Sequence, residues 1–372
     1  MTEKKTPPDF PLNANGKPII PNSPRPVKFF DQTMPYLPLD TTVAPAEPGQ
    51  PLLSLIVMVY KMREQALKTL RSLSIPYQQG VTRDDYEVLV VENASSSNLE
   101  EHEVVAFGPN FRYIRRQEPS PSPVPSINYA ASQARGQMIG LIVDGARMAT
   151  PGLINWTLTA RRLHPNAIVS TPGYHLGPKL QQDSMLEGYD THAEQALLDS
   201  IGWPENGYRL FEISVLSGTS ANGIFKPIGE SNCLSMPRAI WDKLGGCDPR
   251  FMETGGGQVN LDLYKRACEL PETQLILLPG EGTFHQFHGG ITTGTRDHDR
   301  LAIMAAHFAQ YTAIRGQPYS APLKRAIYLG AIPDCAQKFI QHSAARVRQL
   351  RGELPDPHNK KAQQLAQKKQ GN

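Results

Sequence analysis

Two acidic residues in this chain stand where chemistry is often done. Glu92 ends an apolar run, Val88-Leu89-Val90-Val91, and leads into Asn93-Ala94-Ser95. Asp144 ends a second run, Met138 to Val143. If both runs are strands, each acid lies at a carboxyl end, the edge of an open α/β sheet outside which ligands bind. One carboxylate there could accept a hydrogen bond from a base, and the other could hold a cation-bridged phosphate. The competing reading is that both acids cap turns or helices, a common use of Asp, Asn and Ser. Taken together, and in this order, they favour the site.

The elements that must position them are legible from periodicity. Leu53 to Tyr60 reads as a buried strand by length and apolar content. Arg63 to Leu73 carries Ala66, Leu67, Leu70 and Leu73 at helical spacing. Further strands are expected at Tyr86 to Val91, Phe111 to Ile114 and Ile139 to Val143, with a helix over Ile127 to Ala134 that Gly136 stops. Pro119 to Pro125 reads as a stiff loop. A helix over Leu153 to Leu163 precedes a strand at Ala167 to Ser170. Residues 178–225 are weakly periodic and read as a substrate-facing insertion. Then come a strand at Asn232 to Met236, a helix at Arg238 to Leu244, a helix at Val259 to Cys268 opened by Gly255-Gly256-Gly257, and a strand at Gln274 to Leu278. Strand–helix alternation of this kind predicts a parallel, doubly wound sheet.

The ends differ from the middle. The first fifty residues hold eleven prolines and read as an extended arm, within which Val27 to Phe30 and Tyr36 could pack back on the body. Leu301 to Tyr311 and Asp334 to Leu350 read as helices. The second carries Lys338, Arg346 and Arg348 beside Phe339, Ile340 and Val347. It reads by default as a packed helix, with a membrane-surface role as the alternative. Residues 356–372 are polar and read as a disordered tail. The expected division is therefore an arm at 1–50, an α/β domain at 51–295, a helical extension at 296–355 and the tail.

Composition narrows the class. The chain has 372 residues, 40% hydrophobic and 20% charged, which suits a globular protein of one large or two moderate domains. A formal charge of +3 gives no case for nucleic acid. Cys233, Cys247, Cys268 and Cys335 lie far apart without a CxxC pair, against a disulfide framework or zinc knuckle. The first residues lack an apolar core of a signal peptide, and no stretch approaches the ~20 apolar residues that span a bilayer. The expected place is the cytoplasm, with contact at the inner face of a membrane left open.

Six segments in order resemble the family-2 glycosyltransferases of the GT-A fold, across residues of about 52 to 290. They are Val59-Tyr60-Lys61-Met62-Arg63, Thr69-Leu70-Arg71-Ser72-Leu73, Val90-Val91-Glu92-Asn93-Ala94-Ser95, Asn128 to Gly136, Val143-Asp144-Gly145-Ala146, and Gly245-Gly246-Cys247-Asp248-Pro249-Arg250-Phe251. Each is weak alone; their order and spacing make the resemblance specific. It implies a GT-A-like (Rossmann-like) doubly wound mixed sheet with a helical C-terminal extension. It also implies transfer of a hexosyl unit, with inversion, from a nucleotide-diphosphate sugar to a glycan or lipid-linked acceptor, work that belongs to polysaccharide biosynthesis.

The resemblance also implies roles. The diphosphate leaving group gains negative charge in the transition state and must meet something cationic. Family members usually use Mn or Mg held by an Asp-x-Asp pair. Here Asp144 keeps the first acid and Ala146 replaces the second. His285 and His288, in a late loop flanked by Gly282 and Gly289-Gly290, match the family's histidine near the diphosphate and could supply the missing ligand. They could equally hydrogen-bond locally. Arg147 offers fixed positive charge or is a solvated loop arginine. Tyr60, Glu92 and Asn93 fall where the nucleotide is held, although Tyr60 could simply pack in the core. The general base is expected from Glu253 or from Asp262, which could instead only pair with Arg266 at i,i+4. Val259 and Asn260 occupy the positions where the family places its acidic pair.

Two other functions compete. One is a catalytically weak relative that binds a sugar nucleotide or glycan, a reading supported by Ala146, Val259 and Asn260. The other is a nucleotidyltransferase, disfavoured because no Gly-rich, basic phosphate loop follows the first strand.

Overall fold

Seven consecutive buried residues, Leu53–Val59, form the strand β1 on which the fold is centred. In the computed structural model, which describes residues 49–229, 232–288 and 297–355, β1 runs parallel to β2 (Tyr86–Asn93) on one side. β3 (Phe111–Arg116) continues that side, and β4 (Met138–Ile142) flanks β1 on the other, all parallel. β5 (Arg147–Ala149) leaves this sheet, β6 (Ala167–Ser170) rejoins it, and β7 (Gly173–Leu176) and β8 (Ser214–Leu216) belong elsewhere. β9 (Cys233–Pro237), β10 (Gln274–Leu277), β11 (Thr283–His285) and β12 (Ala326–Tyr328) complete the set. The main sheet has eight strands in the order β12-β10-β6-β9-β4-β1-β2-β3, and a second has four in the order β5-β11-β7-β8.

The sheet is mixed, as the resemblance implies, and departs from the all-parallel sheet that alternation alone predicts. β9 runs antiparallel to both β4 and β6. The reason is topological. Ser170, the last residue of β6, pairs with Leu234, the second residue of β9. The chain thus leaves and re-enters the sheet at the same edge, so the returning strand must run the opposite way.

Helices cover both faces. They are α1 (Arg63–Leu73), α2 (Glu101–Val105), α3 (Val124–Gln133), α4 (Leu153–Leu163), α5 (Gln181–Met185), α6 (Thr191–Ser200), α7 (Arg238–Leu244), α8 (Val259–Glu269), α9 (Asp297–Arg315) and α10 (Gln337–Leu350). The two-residue period of β1 divides the core. Leu53, Leu55, Val57 and Val59 pack with Ala66, Leu70 and Leu73 of α1 and Leu153, Ile154 and Leu158 of α4. Ile56 and Met58 face the opposite layer, with Val124 and Ile127 of α3, Trp241 of α7 and Leu263 of α8. A strand buried on both faces carries no polar alternation, which is why it reads as a continuous apolar run.

Several expectations shift. The stretch 178–225 is not featureless: it holds α5, α6, β8 and two short 3-10 turns. α6 has a regular start, with the Asp190 carboxylate accepting the Ala193 N–H at 2.9 Å. Its buried residues are Glu194 and Leu198, so an acid occupies the inner face and hides the apolar period. α3 begins at Val124, using Pro125 in its first turn where no donor is needed. The histidine pair is no plain loop, since His285 closes β11. The C-terminal segment joins the body: β12 pairs with β10, and Phe339 of α10 enters the cluster formed by Tyr174, Phe211 and Phe284. The arm, with Val27 to Phe30 and Tyr36, lies outside the described residues, as does the tail 356–372. Among the described residues no helix is long and apolar enough to cross a membrane.

Candidate functional site

The parallel strands β1, β2 and β4 bring their carboxyl ends to one edge. Val59 is level with Glu92, and Val57 with Ile142, so Tyr60, Glu92 and Asp144 follow one another along that edge. Tyr60 is 47% exposed, which removes core packing as its role. Lys61 after it adopts a positive φ of 56° and places its ammonium 5.1 Å from the Tyr60 ring. Glu92 is fully buried. Its Oε2 accepts the Leu99 N–H at 2.9 Å and the Tyr113 hydroxyl at 2.7 Å, which fixes the turn after β2. Its Oε1 is buried with no partner among the described residues. A buried acceptor left unpaired costs about 1–3 kcal/mol, and a ligand donor would relieve that cost. Asn93 accepts the Ser126 hydroxyl at 2.5 Å, tying the edge to the start of α3.

Beyond β4 the chain turns tightly through Asp144-Gly145-Ala146 into β5. A Cβ on Gly145 would lie 2.8 Å from Val59 Cγ2, so the turn can only press on β1 because this residue has no side chain. Ala146 is fully buried in the apolar layer below. An acid at that position would face the core. β5 pairs antiparallel with β11, setting Arg147 directly opposite His285. Asp144 Oδ1 accepts the Ala146 N–H at 3.0 Å, and Oδ2 accepts Arg147 Nε–H at 2.8 Å. Arg147 is itself mostly buried, and its Nη1 has no partner among the described residues.

The two histidines meet this acid. His285 Nε2 lies 3.8 Å from Asp144 Oδ2 and 3.1 Å from His288 Nε2. One donor atom from each of Asp144, His285 and His288 falls within 4.8 Å of the others. Burial, with the Arg147 guanidinium adding to it, holds His285 well below the usual imidazole range. His288 is lowered chiefly by burial, against the pull of the Asp144 carboxylate. His175 of β7, its ring centroid 5.4 Å from that of His285, is pushed down to about 4, by burial first and Arg147 second. These imidazoles are therefore neutral at pH 7, the form that binds metals. Two nitrogens and one oxygen suit Mn better than Mg, which prefers oxygen ligands throughout.

The two base candidates have different surroundings. Asp262 is buried on α8, and its carboxylate accepts Arg266 Nε–H at 2.7 Å and Arg315 Nε–H at 2.6 Å. Arg266 also donates to the carbonyls of Leu244 and Gly246, so this ion pair clamps α8 onto the Gly245-Gly246 turn. Asn128 grips the same turn from the other side through the Cys247 N–H and carbonyl. Asp248 next to it is held below the usual carboxylate range, mainly by its hydrogen bonds from the Arg250 side chain. Glu253 is half-buried just before the turn Thr254–Gly256. Gly255 N–H donates to Pro121 O at 3.2 Å and the Ser122 hydroxyl to Phe251 O at 2.7 Å, which docks that turn on the loop after β3. Glu253 also lies near His307 of α9: a Cβ built on Gly257 would be 3.6 Å from Glu253 Cβ and from His307 Cδ2. Val259 packs in the core, so α8 turns an apolar residue inward where an acid of the base pair was sought.

Reading the sequence missed Gln181, His175 and Glu194. All three lie on or beside the histidine cluster. Glu194 accepts the Phe287 N–H at 2.7 Å, and burial pushes its carboxyl up to about 7. Their segments show neither helical nor strand period, so only their chemistry-bearing types could have drawn attention.

No protein-family model and no curated protein matches the chain. Among solved structures, S. aureus TarS 1-349 is similar at 13% identity and a TM-score of 0.42, over 80% of this chain and 71% of that one. The same fragment in complex with UDP-GlcNAc gives 13% and 0.42 over the same shares, 80% and 71%. The mannosyltransferase PcManGT from Pyrobaculum calidifontis, in complex with GDP-Man and Mn2+, is similar at 18% identity and a TM-score of 0.41, over 85% of this chain and 75% of that one. At these identities and scores the likeness is loose, and the residues at the strand ends carry the functional reading.

Proposed function

We propose that the chain is a GT-A-like glycosyltransferase of the family-2 kind, moving a hexosyl unit from a nucleotide-diphosphate sugar to a glycan or lipid-linked acceptor with inversion. The observation that carries the reading is the convergence of Asp144, His285 and His288 at the strand edge where Tyr60 is exposed and where Glu92 lies buried, its Oε1 without a partner among the described residues. The six ordered motifs of the sequence support it. Glu92 Oε1 is assigned to accept from the base, with Asn93 holding the turn beside it and Tyr60 supplying an exposed ring for the nucleotide. Asp144, His285 and His288 would hold a divalent cation, which supplies positive charge against the diphosphate. Arg147 adds fixed charge through the guanidinium nitrogen Nη1, which has no partner among the described residues. Glu253 is assigned to take the proton from the acceptor hydroxyl, because among the described residues its carboxylate is not committed to an ion pair as that of Asp262 is.

The test is a thermal-shift screen of the full chain against UDP, GDP, dTDP and CDP, each with Mn, with Mg and with a chelator. A ligand at a hundredfold excess over its Kd stabilises the native state by about 2.7 kcal/mol. We expect one nucleotide to raise the melting temperature with Mn, and Asp144→Ala to weaken that binding at least tenfold. No shift with any nucleotide and either metal would discard the reading. A binding protein without transfer activity is the second reading, supported by Ala146 and by the commitment of Asp262 to two guanidiniums. Nucleotide binding without hexosyl transfer or donor hydrolysis would favour it.

A further inference from the structure

A fully buried amide stands behind the histidines. Gln181, the first residue of α5, has no exposed surface and is 104 residues from His285 in sequence. Its Nε2 donates to the backbone carbonyl of His285 at 2.8 Å. A carbonyl can only accept, so this bond fixes which end of the amide is nitrogen. The other end, Oε1, then lies 2.5 Å from His285 Nδ1. An amide oxygen can also only accept, so Nδ1 must carry the ring proton. A neutral imidazole has one such proton, so His285 Nε2 is left as a bare lone pair. That lone pair faces His288 Nε2, 3.1 Å away, from which it can only accept, and lies 3.8 Å from Asp144 Oδ2. Gln181 is held in turn, since its backbone N–H donates to His175 Nδ1 at 3.0 Å.

We propose that Gln181 is a positioning residue that fixes the tautomer and ring orientation of His285, so that Nε2 is delivered to a divalent cation shared with Asp144 and His288. The inference rests on reading those three residues as a cation site. Partners of this kind, which hold the far nitrogen of a liganding histidine, typically change metal affinity 10–100-fold when removed. The arrangement also gives the segment 178–200 a role: it supplies the carbonyl that aims a histidine on a distant strand.

The test uses the full chain and Mn2+ alone. Free Mn2+ is followed by electron paramagnetic resonance during titration of the wild type, Gln181→Leu and Gln181→Glu. Long-range 1H–15N spectra of the metal-free, histidine-labelled proteins report the tautomers, with the His285 signal assigned by its loss in His285→Gln. The expected result is an Nδ1–H tautomer for His285 in the wild type. Gln181→Leu should lose that preference and bind Mn2+ about 10–100-fold more weakly. Gln181→Glu should keep the tautomer, because a carboxylate also accepts from Nδ1–H, but it loses the bond to the His285 carbonyl, so its Mn2+ affinity should fall between those of the wild type and Gln181→Leu. A wild type that binds no Mn2+ overturns the cation site and this inference together. A wild type that binds, with Gln181→Leu binding equally tightly, overturns this inference alone. An Nε2–H tautomer in the wild-type spectrum overturns it whatever the variants do.

Discussion

Asp262, in the first turn of α8, and Glu253, ahead of it, are both carboxylates, and their neighbours separate them. Asp262 neutralises Arg266 and Arg315 in a buried position. Asp262→Asn would leave two guanidiniums facing a neutral amide, and breaking a buried pair costs about 3–5 kcal/mol. A lowered melting midpoint is expected. Glu253 has no such duty, so Glu253→Gln should melt within about 0.5 kcal/mol of wild type. Its transfer rate should fall about 10²–10⁴-fold if it is the general base. Single-turnover kinetics on both variants would settle the choice. Normal transfer in Glu253→Gln would remove it from the role.

At the scale of elements, the small sheet is fastened by a buried acid. Glu281 accepts the hydroxyls of Thr150, just after β5, and of Tyr208 at 2.8 Å, while Thr150 Oγ1 accepts the Gly282 N–H at 3.1 Å before β11. Burial pushes the Glu281 carboxyl from 4.5 up to about 7. A group whose folded pKa is raised contributes fully below its unfolded value, and that contribution is lost as pH rises through the folded one. The window is therefore pH 4.5 to about 7. At roughly 1.4 kcal/mol per unit, the loss is on the order of 3 kcal/mol. Glu281→Gln cannot ionise, so its stability relative to wild type should improve by that order between pH 4.5 and 8. Urea melts at the two pH values would show it; an unchanged difference would mean that Glu281 is ionised throughout. The same fastening sets Arg147 opposite His285, so the ladder that stabilises β5 and β11 also brings together the residues of the proposed cation site.

At the scale of the molecule, the C-terminal segment is bound into the body at several points. β12 adds an edge strand to the main sheet, Arg315 of α9 reaches Asp262 and Asp248, and Phe339 of α10 packs with its ring centroid 4.8 Å from that of Tyr174. Lys338 donates to the carbonyls of Glu212 and Ser214, so the basic face of α10 is partly used within the fold. Phe339→Ala should cost about 3–5 kcal/mol, as aromatic truncation in a core does. It should therefore lower the denaturant midpoint of the whole domain in one transition. A separate early transition confined to α10 would show instead that the helix is an independent unit.

The sequence by itself determined the central strands and the helices that cover them. Leu53–Val59, Tyr86–Asn93 and Met138–Ile142 are buried on both faces, and burial of that kind leaves a near-continuous apolar stretch in each, interrupted by Ser54 and Glu87, that needs no partner to be recognised. It also placed Glu92 and Asp144 at strand ends, because a polar residue stopping such a run is a local signal. The tertiary structure alone decided what those acids meet. β5, β7, β8 and β11 are strands of only three or four residues, too short to show a period, and α6 turns an acid inward. Their pairing is a long-range choice made by packing. That packing brought Gln181 under His285, turned Ala146 into the core and gave Asp262 to Arg315, none of which is written in the spacing of neighbouring residues.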